Sequence, residues 1–246
     1  MKQFANKTVL VTGGSRGIGA AITRRLAGEG ANVAFTFNRS GEKAHAVAAA
    51  INDAGGKAIA IQANSSVPDD VTGAVEQTVK NFGGVDILIN NAGIYIGKPF
   101  EDHTLGEYDE IMSVNVRAVY VAAHAAVKHM RAGGRIITIG SNMGDNSVGP
   151  QTTLYSMSKS ALQGLTRGLA RDLGPKKITV NLVQPGPIDT DMNPANTELA
   201  DFLRSLTALG DYGTGDDIAG LVSFLAGEEG RFITGSILTI DGGFNA

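Results

Sequence analysis

Three side chains with the chemistry to protonate a carbonyl oxygen lie close together in this sequence. Tyr155 and Lys159 are four residues apart, and Ser141 precedes Tyr155 by fourteen residues, at the end of an apolar run. Positions i and i+4 share one face of a helix, so a helix here places Lys159 beside Tyr155. A neighbouring cation favours the phenolate, which predicts a lowered pKa for Tyr155. An isolated pair of this kind is more often an ordinary exposed pair, so its meaning depends on the elements around it.

The composition narrows the classes of function. The chain has 246 residues, of which 43% are hydrophobic and 18% charged, and its net charge is −3. This balance argues against a general nucleic-acid binder, which would carry a basic excess. There is no cysteine, which excludes disulfides, thiolate chemistry and a cysteine zinc site. Because the N-terminus lacks the pattern of a signal peptide and no apolar run is long enough to cross a bilayer, we expect a cytoplasmic protein without membrane contact.

Short apolar runs alternate with segments of helical period along the whole chain. The predicted strands are 8–11, 32–37, 58–61, 85–89, 135–139, 178–183 and 237–240, and the predicted helices are 17–28, 42–54, 69–81, 105–130, 155–173 and 216–226. Nearly continuous apolarity is typical of strands buried on both faces of a parallel sheet. The alternation therefore predicts an α/β fold, a single Rossmann-type domain over 1–246 with a doubly wound, seven-stranded parallel sheet and helices on both faces.

One long segment does not fit this alternation. Residues 184–199 follow the sixth predicted strand, read as irregular and contain three prolines. Ligands bind an open α/β sheet beyond the carboxyl ends of its strands, so a segment from about 185 to 212 is predicted to be a substrate lid. The apolar side chains there fit a lid lining and ordinary core packing equally well. They are Met192, Leu199, Phe202, Leu203 and Leu206.

A glycine-rich turn follows the first predicted strand. Gly13, Gly17 and Gly19 lie between that strand and the first helix. Glycine permits a sharp turn and close backbone approach, while free N–H groups at a helix start hold a pyrophosphate. The turn therefore predicts a dinucleotide site.

Several motifs occur together in a recognisable order. They are Thr-Gly-x-x-x-Gly-x-Gly at 12–19, Asn-Asn-Ala-Gly at 90–93, Tyr-x-x-x-Lys at 155–159, Pro-Gly at 185–186, and a closing segment from Thr234-Gly235 to Asp241-Gly242-Gly243. In this combination the whole chain resembles the short-chain dehydrogenase/reductase family. The longer gap between Ser141 and Tyr155, Asn64 in place of a usual Asp, and Gly133-Gly134-Arg135 resemble the 3-oxoacyl reductase and polyhydroxynaphthalene reductase branch.

The resemblance implies a role for each matching residue. Tyr155 is expected to protonate the carbonyl oxygen, Ser141 to orient it, Lys159 to lower the pKa of Tyr155 and hold the nicotinamide ribose, and Asn115 to anchor a water relay. Ser147 competes with Ser141, but Gly144 completes a Ser-x-x-Gly pattern only with Ser141. The residues expected to bind the cofactor are Gly13, Ser15, Arg16, Gly17, Ile18, Gly19, Asn38, Arg39, Ser40, Asn64, Ser65, Asn91, Ala92, Gly93, Tyr155, Lys159, Pro185, Gly186, Ile188 and Thr190.

The end of the second strand bears on the choice of cofactor. A ribose 2′-hydroxyl calls for a carboxylate there, whereas a 2′-phosphate calls for a cation. Phe37 occupies the place of that carboxylate, and Arg16 and Arg39 can flank a phosphate. The sequence therefore favours NADP(H). Asn64 is expected to contact the adenine, since an amide both donates and accepts hydrogen bonds.

The leading hypothesis is an NADPH-dependent carbonyl reductase that acts on a small ketone or alcohol. The alternative is a regulatory protein that binds cyclic-di-GMP, because residues 160–164 and 183–191 resemble a biofilm-dispersal member of the family with that property. The four histidines lack the spacing of a helical zinc pair, so no metal is expected. The resemblance further implies a homotetramer, with the long helices in one interface and the C-terminal strand in another.

Overall fold

All seven strands belong to one parallel sheet, as the sequence predicts. The computed structural model describes residues 2–246. The strands are β1 (Thr8–Val11), β2 (Asn32–Phe37), β3 (Lys57–Gln62), β4 (Ile87–Asn90), β5 (Arg135–Ile139), β6 (Thr179–Pro185) and β7 (Ile237–Ile240). Their order in the sheet is β3-β2-β1-β4-β5-β6-β7. The order reverses between β1 and β4, and the carboxyl ends of strands at such a switch point form a natural ligand crevice.

Eight helices connect the strands and cover both faces of the sheet. They are α1 (Gly17–Gly28), α2 (Gly41–Asp53), α3 (Pro68–Phe82), α4 (Leu105–Met112), α5 (Ala118–Ala126), α6 (Thr153–Leu173), α7 (Glu198–Leu206) and α8 (Gly215–Ala226). Buried side chains from α1, α2 and α8 pack on one face, and those from α3, α5 and α6 pack on the other. Because both faces are covered, the strands are apolar almost throughout. No helix within residues 2–246 has the length and apolarity needed to span a bilayer.

The helix predicted over 105–130 is interrupted and ends early. A π-helical turn at Ser113–Arg117 separates α4 from α5, and α5 ends at Ala126. A π turn inserts one extra residue into a helix, which changes the direction of a side chain and often marks a functional site. Here the turn carries Asn115, whose side chain is buried, into the interior of the protein.

The segment after β6 contains a helix that the sequence reading missed. Helix α7 begins after Thr197, whose side chain accepts a hydrogen bond from the backbone N–H of Ala200. The prediction of an irregular stretch over 184–199 therefore fails at both ends, since Gln184 and Pro185 belong to β6 and Glu198 and Leu199 are helical. A threonine N-cap satisfies a backbone N–H that would otherwise lack a partner, and this local signal was outweighed by the nearby prolines.

Candidate active site

A cavity of about 470 Å³ opens at the carboxyl ends of the central strands. Most of the residues predicted to bind a cofactor line it together. They are Gly13, Ser15, Arg16, Gly17, Ile18, Gly19, Asn38, Arg39, Ser40, Asn64, Ser65, Asn91, Ala92, Gly93, Tyr155, Lys159 and Thr190. The fold thus brings the glycine turn, the end of β2 and the Tyr-Lys pair into one crevice.

The glycine turn is built for close backbone approach. A Cβ atom at Gly19 would lie 2.2 Å from the carbonyl oxygen of Gly13, so no larger residue fits at Gly19. Asn91 fixes the turn from β4, since its Nδ2 donates to the carbonyl oxygens of Thr12 and Gly13, each at 3.0 Å. No side chain caps the start of α1 within the described residues, which leaves N–H groups directed at the cavity for an anion.

The end of β2 offers no carboxylate to the cavity. Phe37 is nearly buried there, and its ring lies edge-on to His45 with 5.8 Å between ring centroids. Arg16 and Arg39 line the cavity close to this strand end. Two guanidinium groups beside an apolar strand end fit a 2′-phosphate and do not fit the acidic recognition of a ribose hydroxyl.

Two further charged residues, Lys43 and Asp191, belong to this region and were missed from the sequence. The Asp191 carboxylate lies 2.8 Å from the Nζ of Lys43 and 3.8 Å from a guanidinium nitrogen of Arg16. The hydrogen bond from Lys43 holds the pKa of Asp191 below its usual range. Asp191 lines the cavity one residue after Thr190, while Lys43 lies in the first turn of α2. Their contact spans 148 residues of sequence, so no local pattern signals it.

The side chain of Asn64, which the sequence predicts to contact the adenine, already makes hydrogen bonds within the protein. Its Oδ1 accepts hydrogen bonds from the backbone N–H and the hydroxyl of Ser66, at 3.0 and 2.9 Å. Within residues 2–246 its Nδ2 has no partner in the protein, so Asn64 can offer a donor to a ligand but has its acceptor engaged.

Both residues of the Tyr155-Lys159 pair belong to the wall of the cavity, where Lys159 is buried and Tyr155 is partly exposed. The Nζ of Lys159 donates to the carbonyl oxygen of Ile139 at 3.1 Å and lies 5.6 Å from the centre of the Tyr155 ring. Burial lowers the pKa of Lys159 to about 8. Burial also raises the pKa of Tyr155, an effect that the hydrogen-bonding interaction with Ser141 opposes and Tyr95 reinforces. The predicted lowering of the Tyr155 pKa by Lys159 is therefore wrong for this structure, because desolvation of the phenolate sets the direction of the shift.

Ser141 stands next to Tyr155, where its hydroxyl counteracts the effect of burial. It immediately precedes the short 3₁₀ turn Asn142–Gly144, and its Oγ accepts a hydrogen bond of 3.2 Å from the backbone N–H of Met143. The competing Ser147 has its hydroxyl engaged with that of Ser156, at 2.6 Å. The geometry therefore favours Ser141 over Ser147.

Asn115 lies behind the cavity wall. Its Oδ1 accepts from the backbone N–H of Ile94, and its Nδ2 donates to the carbonyl oxygen of Ile94, both at 2.9 Å. The Nδ2 also donates to the hydroxyl of Ser158, at 3.0 Å. Asn115 thus ties the loop after β4 to α6 and keeps Tyr155 and Lys159 in register with the glycine turn.

The Pro185-Gly186 segment lies apart from the cavity lining. Gly186 donates its N–H to the carbonyl oxygen of Ile240, while the nearly buried Ile188 forms a bridge with Gly213. The first contact holds the segment against β7 and the second against the stretch before α8, and the cavity lining after β6 begins at Thr190. Backbone contact of Pro185, Gly186 and Ile188 with a cofactor stays a prediction.

Tyr95 was not recognised from the sequence. Its ring lies 5.1 Å from that of Tyr155, at an interplanar angle of 66°, and it is 45% exposed. An aromatic side chain that packs on Tyr155 and still faces solvent can contact a ligand that reaches Tyr155. Its position five residues after the end of β4 was the available signal.

Comparison with known proteins identifies the family. The family model described as enoyl-(acyl carrier protein) reductase matches residues 13–245. A crystal structure of a short chain dehydrogenase from Burkholderia cenocepacia J2315 in complex with NADP is similar, with a TM-score of 0.98 and 53% identity, covering 99% of this chain and 100% of that one. The chain belongs to the short-chain dehydrogenase/reductase family.

The curated relatives include hydroxynaphthalene reductases and a cyclic-di-GMP-binding protein. A probable tetrahydroxynaphthalene reductase from Zymoseptoria tritici is 38% identical, covering 96% of this chain and 93% of its own. A cyclic-di-GMP-binding biofilm dispersal mediator protein from Escherichia coli K12 is 46% identical, covering 100% of both chains. Both resemblances stated from the sequence are thus confirmed.

Proposed function

We propose that this short-chain dehydrogenase/reductase is an NADPH-dependent carbonyl reductase that acts on a ketone, with Tyr155 as the proton donor. The observation that supports it is the common cavity. The phosphate-binding turn at Gly13–Gly19 and the Tyr155-Lys159 pair line the same space. A cofactor held by the turn can therefore deliver its reacting end beside an acid.

NADP(H) fits the residues that line this cavity. The tight Gly13–Gly19 turn admits a pyrophosphate, because a side chain at Gly19 would strike the backbone. Arg16, Arg39 and Lys43 lie near the end of β2, where Phe37 stands instead of a carboxylate. The cofactor bound in the Burkholderia cenocepacia relative is NADP. When bound, the reduced cofactor supplies the hydride that a ketone needs.

Each catalytic residue then has a distinct task. The raised pKa of Tyr155 keeps the phenol protonated and ready to donate to the substrate oxygen. Ser141 presents a hydroxyl near that position and can hydrogen-bond the same oxygen. Lys159 donates to Ile139 with one proton and has further donors for a cofactor ribose. In the reverse direction Tyr155 must be deprotonated, so alcohol oxidation should be favoured at alkaline pH.

The segment 185–212 is proposed as the substrate lid of a single domain. Its helix α7 leaves Leu199 and Phe202 exposed, at 60% and 57%. Inside the segment, Tyr212 donates to the side chain of Asn193 at 3.1 Å. The segment is stabilised by its own hydrogen bonds, exposes an apolar face and reaches the cavity at Thr190. These properties are consistent with a lid that closes over an apolar substrate.

We also propose the homotetramer that the family resemblance implies. Strand β7 lies at the edge of the sheet and pairs only with β6. Elsewhere on the surface, Leu105 on α4 and Tyr120 on α5 are exposed, at 83% and 53%. Exposed apolar side chains and an open strand edge fit burial between copies. Light scattering after size-exclusion chromatography measures the mass, and a monomer at micromolar concentration would contradict the assembly.

The carbonyl reductase is tested by turnover. Purified protein is mixed with NADPH and a panel of aliphatic and aromatic ketones, and the loss of NADPH absorbance is followed. Removal of the phenol in Tyr155→Phe should lower kcat by roughly 10²–10⁴-fold while NADPH binding persists. Equal rates for wild type and Tyr155→Phe, or no turnover of any ketone, would contradict the proposed function.

A cyclic-di-GMP-binding regulatory protein is the second candidate. The Escherichia coli relative, which is 46% identical over the whole chain, is named as a cyclic-di-GMP-binding protein. A cyclic dinucleotide presents phosphates and a purine, which the glycine turn, Arg16 and Arg39 can accommodate. Calorimetric titration of cyclic-di-GMP, with and without saturating NADPH, measures this directly. Tight binding that NADPH abolishes, together with absent ketone turnover, would favour the regulatory protein.

A further inference from the structure

The turn that carries Ser141 is docked onto the helix that carries Tyr155 and Lys159. The carbonyl oxygen of Gly144, at the end of this turn, accepts a hydrogen bond of 2.6 Å from the hydroxyl of Ser160 and one of 3.1 Å from the Nε2 of Gln163. A Cβ atom at Gly144 would lie 3.2 Å from the carbonyl carbon of Lys159. The turn therefore rests directly on α6, and a larger residue at Gly144 would push it away.

Three side chains hold this docking in place. The carboxylate of Asp145 accepts from the Nε2 of Gln163 at 2.6 Å and, through its second oxygen, from the Nε2 of Gln184. The Nε2 of Gln163 also lies 3.3 Å from the Oε1 of Gln184, a longer contact that shares one of its two hydrogens. Asp145, Gln163 and Gln184, which we call the Asp145 cluster, thus join the turn after β5, helix α6 and strand β6.

The Asp145 cluster is built to be rigid. Gln184 is fully buried, so both ends of its amide need partners inside the protein, and the cluster supplies them. Hydrogen bonds to an ionised carboxylate are stronger than those between neutral groups. None of the three side chains lines the cavity described above. They can act on a substrate only through the residues that they hold.

We propose that the Asp145 cluster positions the hydroxyl of Ser141 against that of Tyr155 and so fixes the orientation of the pair. The side chain of Ser141 accepts a hydrogen bond from the backbone N–H of Met143, in the same turn, and interacts with Tyr155 on α6. Its distance from Tyr155 therefore depends on how the turn sits on α6. Loosening the cluster should weaken the interaction between Ser141 and Tyr155 while the fold and the cofactor site persist. This inference rests on the proposed carbonyl reductase.

The experiment compares Asp145→Ala and Asp145→Asn with a matched control. An Asn side chain keeps one carbonyl acceptor for the two glutamine amides, so it should give a partial effect. Asp172→Asn, an exposed carboxylate at the other end of α6, is the control. For Asp145→Ala we expect kcat for ketone reduction to fall by roughly 10-fold or more, with NADPH affinity unchanged, as 1 Å misplacements of a catalytic group commonly do.

A double-mutant cycle distinguishes positioning from general stability. If the Asp145 cluster acts through Ser141, Asp145→Ala should add little to the loss caused by Ser141→Ala alone. If Asp145→Ala lowers kcat by the same factor with and without Ser141, the proposal is wrong. Thermal unfolding of each variant shows whether the loss of kcat follows the loss of stability instead, which would also overturn it.

The pKa of Tyr155 gives a readout that does not need turnover. Ultraviolet difference titration against Tyr155→Phe isolates this phenol from the other tyrosines. Ser141 lowers the pKa of Tyr155, and the other titratable neighbours, Tyr95 and Lys159, stay in place. We therefore expect a higher pKa in Asp145→Ala. An unchanged pKa would refute positioning, and a lower one would indicate a direct charge effect of Asp145. If the wild-type protein turns over no ketone, the proposed carbonyl reductase is wrong, but the titration still tests whether the Asp145 cluster positions Ser141 against Tyr155.

Discussion

The Nζ of Lys159 lies 5.6 Å from the centre of the Tyr155 ring, and its one hydrogen bond within the described residues goes to the backbone oxygen of Ile139. An ammonium group this deeply buried, with a single neutral acceptor, is only partly compensated for its lost hydration. Without a cofactor, Lys159 therefore serves function at the expense of stability.

Lys159→Met should stabilise the cofactor-free protein at neutral pH while abolishing turnover. Burial lowers the pKa of Lys159 in the folded protein to about 8 from its ordinary 10.5, so the folded state binds fewer protons than the unfolded state between those values. The loss of stability caused by burying the charged Lys159 is complete below pH 8 and decreases as the pH approaches 10.5. We expect a gain of roughly 1–3 kcal/mol at pH 7.

Urea unfolding at pH 7 and at pH 10 measures this gain, with the exposed Lys128→Met as the control. The advantage of Lys159→Met should shrink at the higher pH, and Lys128→Met should show neither effect. An equal gain at both pH values would mean that the ammonium of Lys159 is not the source.

Gly19→Ala should abolish NADPH binding. Its new methyl group would lie 2.2 Å from the carbonyl oxygen of Gly13, which forces the phosphate-binding turn open. Overpacking of this kind costs typically ~1–3 kcal/mol of stability. Gly28→Ala on the same helix meets no atom within 4 Å and is the matched control, expected to be neutral or slightly stabilising. Fluorescence titration measures the affinity of each variant for NADPH. An unchanged affinity in Gly19→Ala would show that the glycine turn does not bind the cofactor.

Asp191→Asn should tighten NADPH binding without improving NADH binding. Its carboxylate now engages Lys43 and Arg16, the cations that a 2′-phosphate would use. Since exposed ion pairs contribute little, we expect a gain in NADPH affinity of about 2- to 5-fold. Salt should erase it, because charges at the surface are screened. Titrations with NADPH and NADH at low and high salt provide the measurement, and an equal gain for both cofactors would place Asp191 away from the 2′-phosphate.

Tyr95→Leu should selectively impair reduction of aromatic ketones. The ring of Tyr95 packs edge-on to Tyr155 and is 45% exposed, so it can contact a ring bound at the same place. Leucine keeps much of the bulk but loses the aromatic face, and such pairs are worth ~0.5–1.5 kcal/mol, or about 2- to 10-fold in kcat/KM. Comparing kcat/KM for an aromatic and an aliphatic ketone tests this, and equal losses on both would show that Tyr95 only supports Tyr155.

Features encoded within one element could be recognised from the sequence. The strand β1 and the helix α1 have the predicted bounds, because their apolar periodicity is uninterrupted. The glycine turn between them and the spacing of Tyr155 and Lys159 are likewise local patterns. By contrast, the π turn at Ser113–Arg117 could not be recognised from the sequence. It adds one residue to a helix that is largely apolar on all sides, so the resulting rotation of the buried face does not change the apolar pattern visibly.

The tertiary structure supplied what depends on contacts between distant segments. The ion pair of Asp191 with Lys43 and the Asp145 cluster each join a turn to elements that are distant in the sequence, so no local spacing predicts them. The same holds for the pKa of Tyr155. The sequence shows that a lysine is one turn away, but burial sets the direction of the shift, and burial is a property of the folded packing around the ring. The types and spacing of the residues proposed for catalysis could therefore be recognised from the sequence, whereas their acid strengths and mutual positions arise only when α6, the turn after β5 and the end of β4 come together.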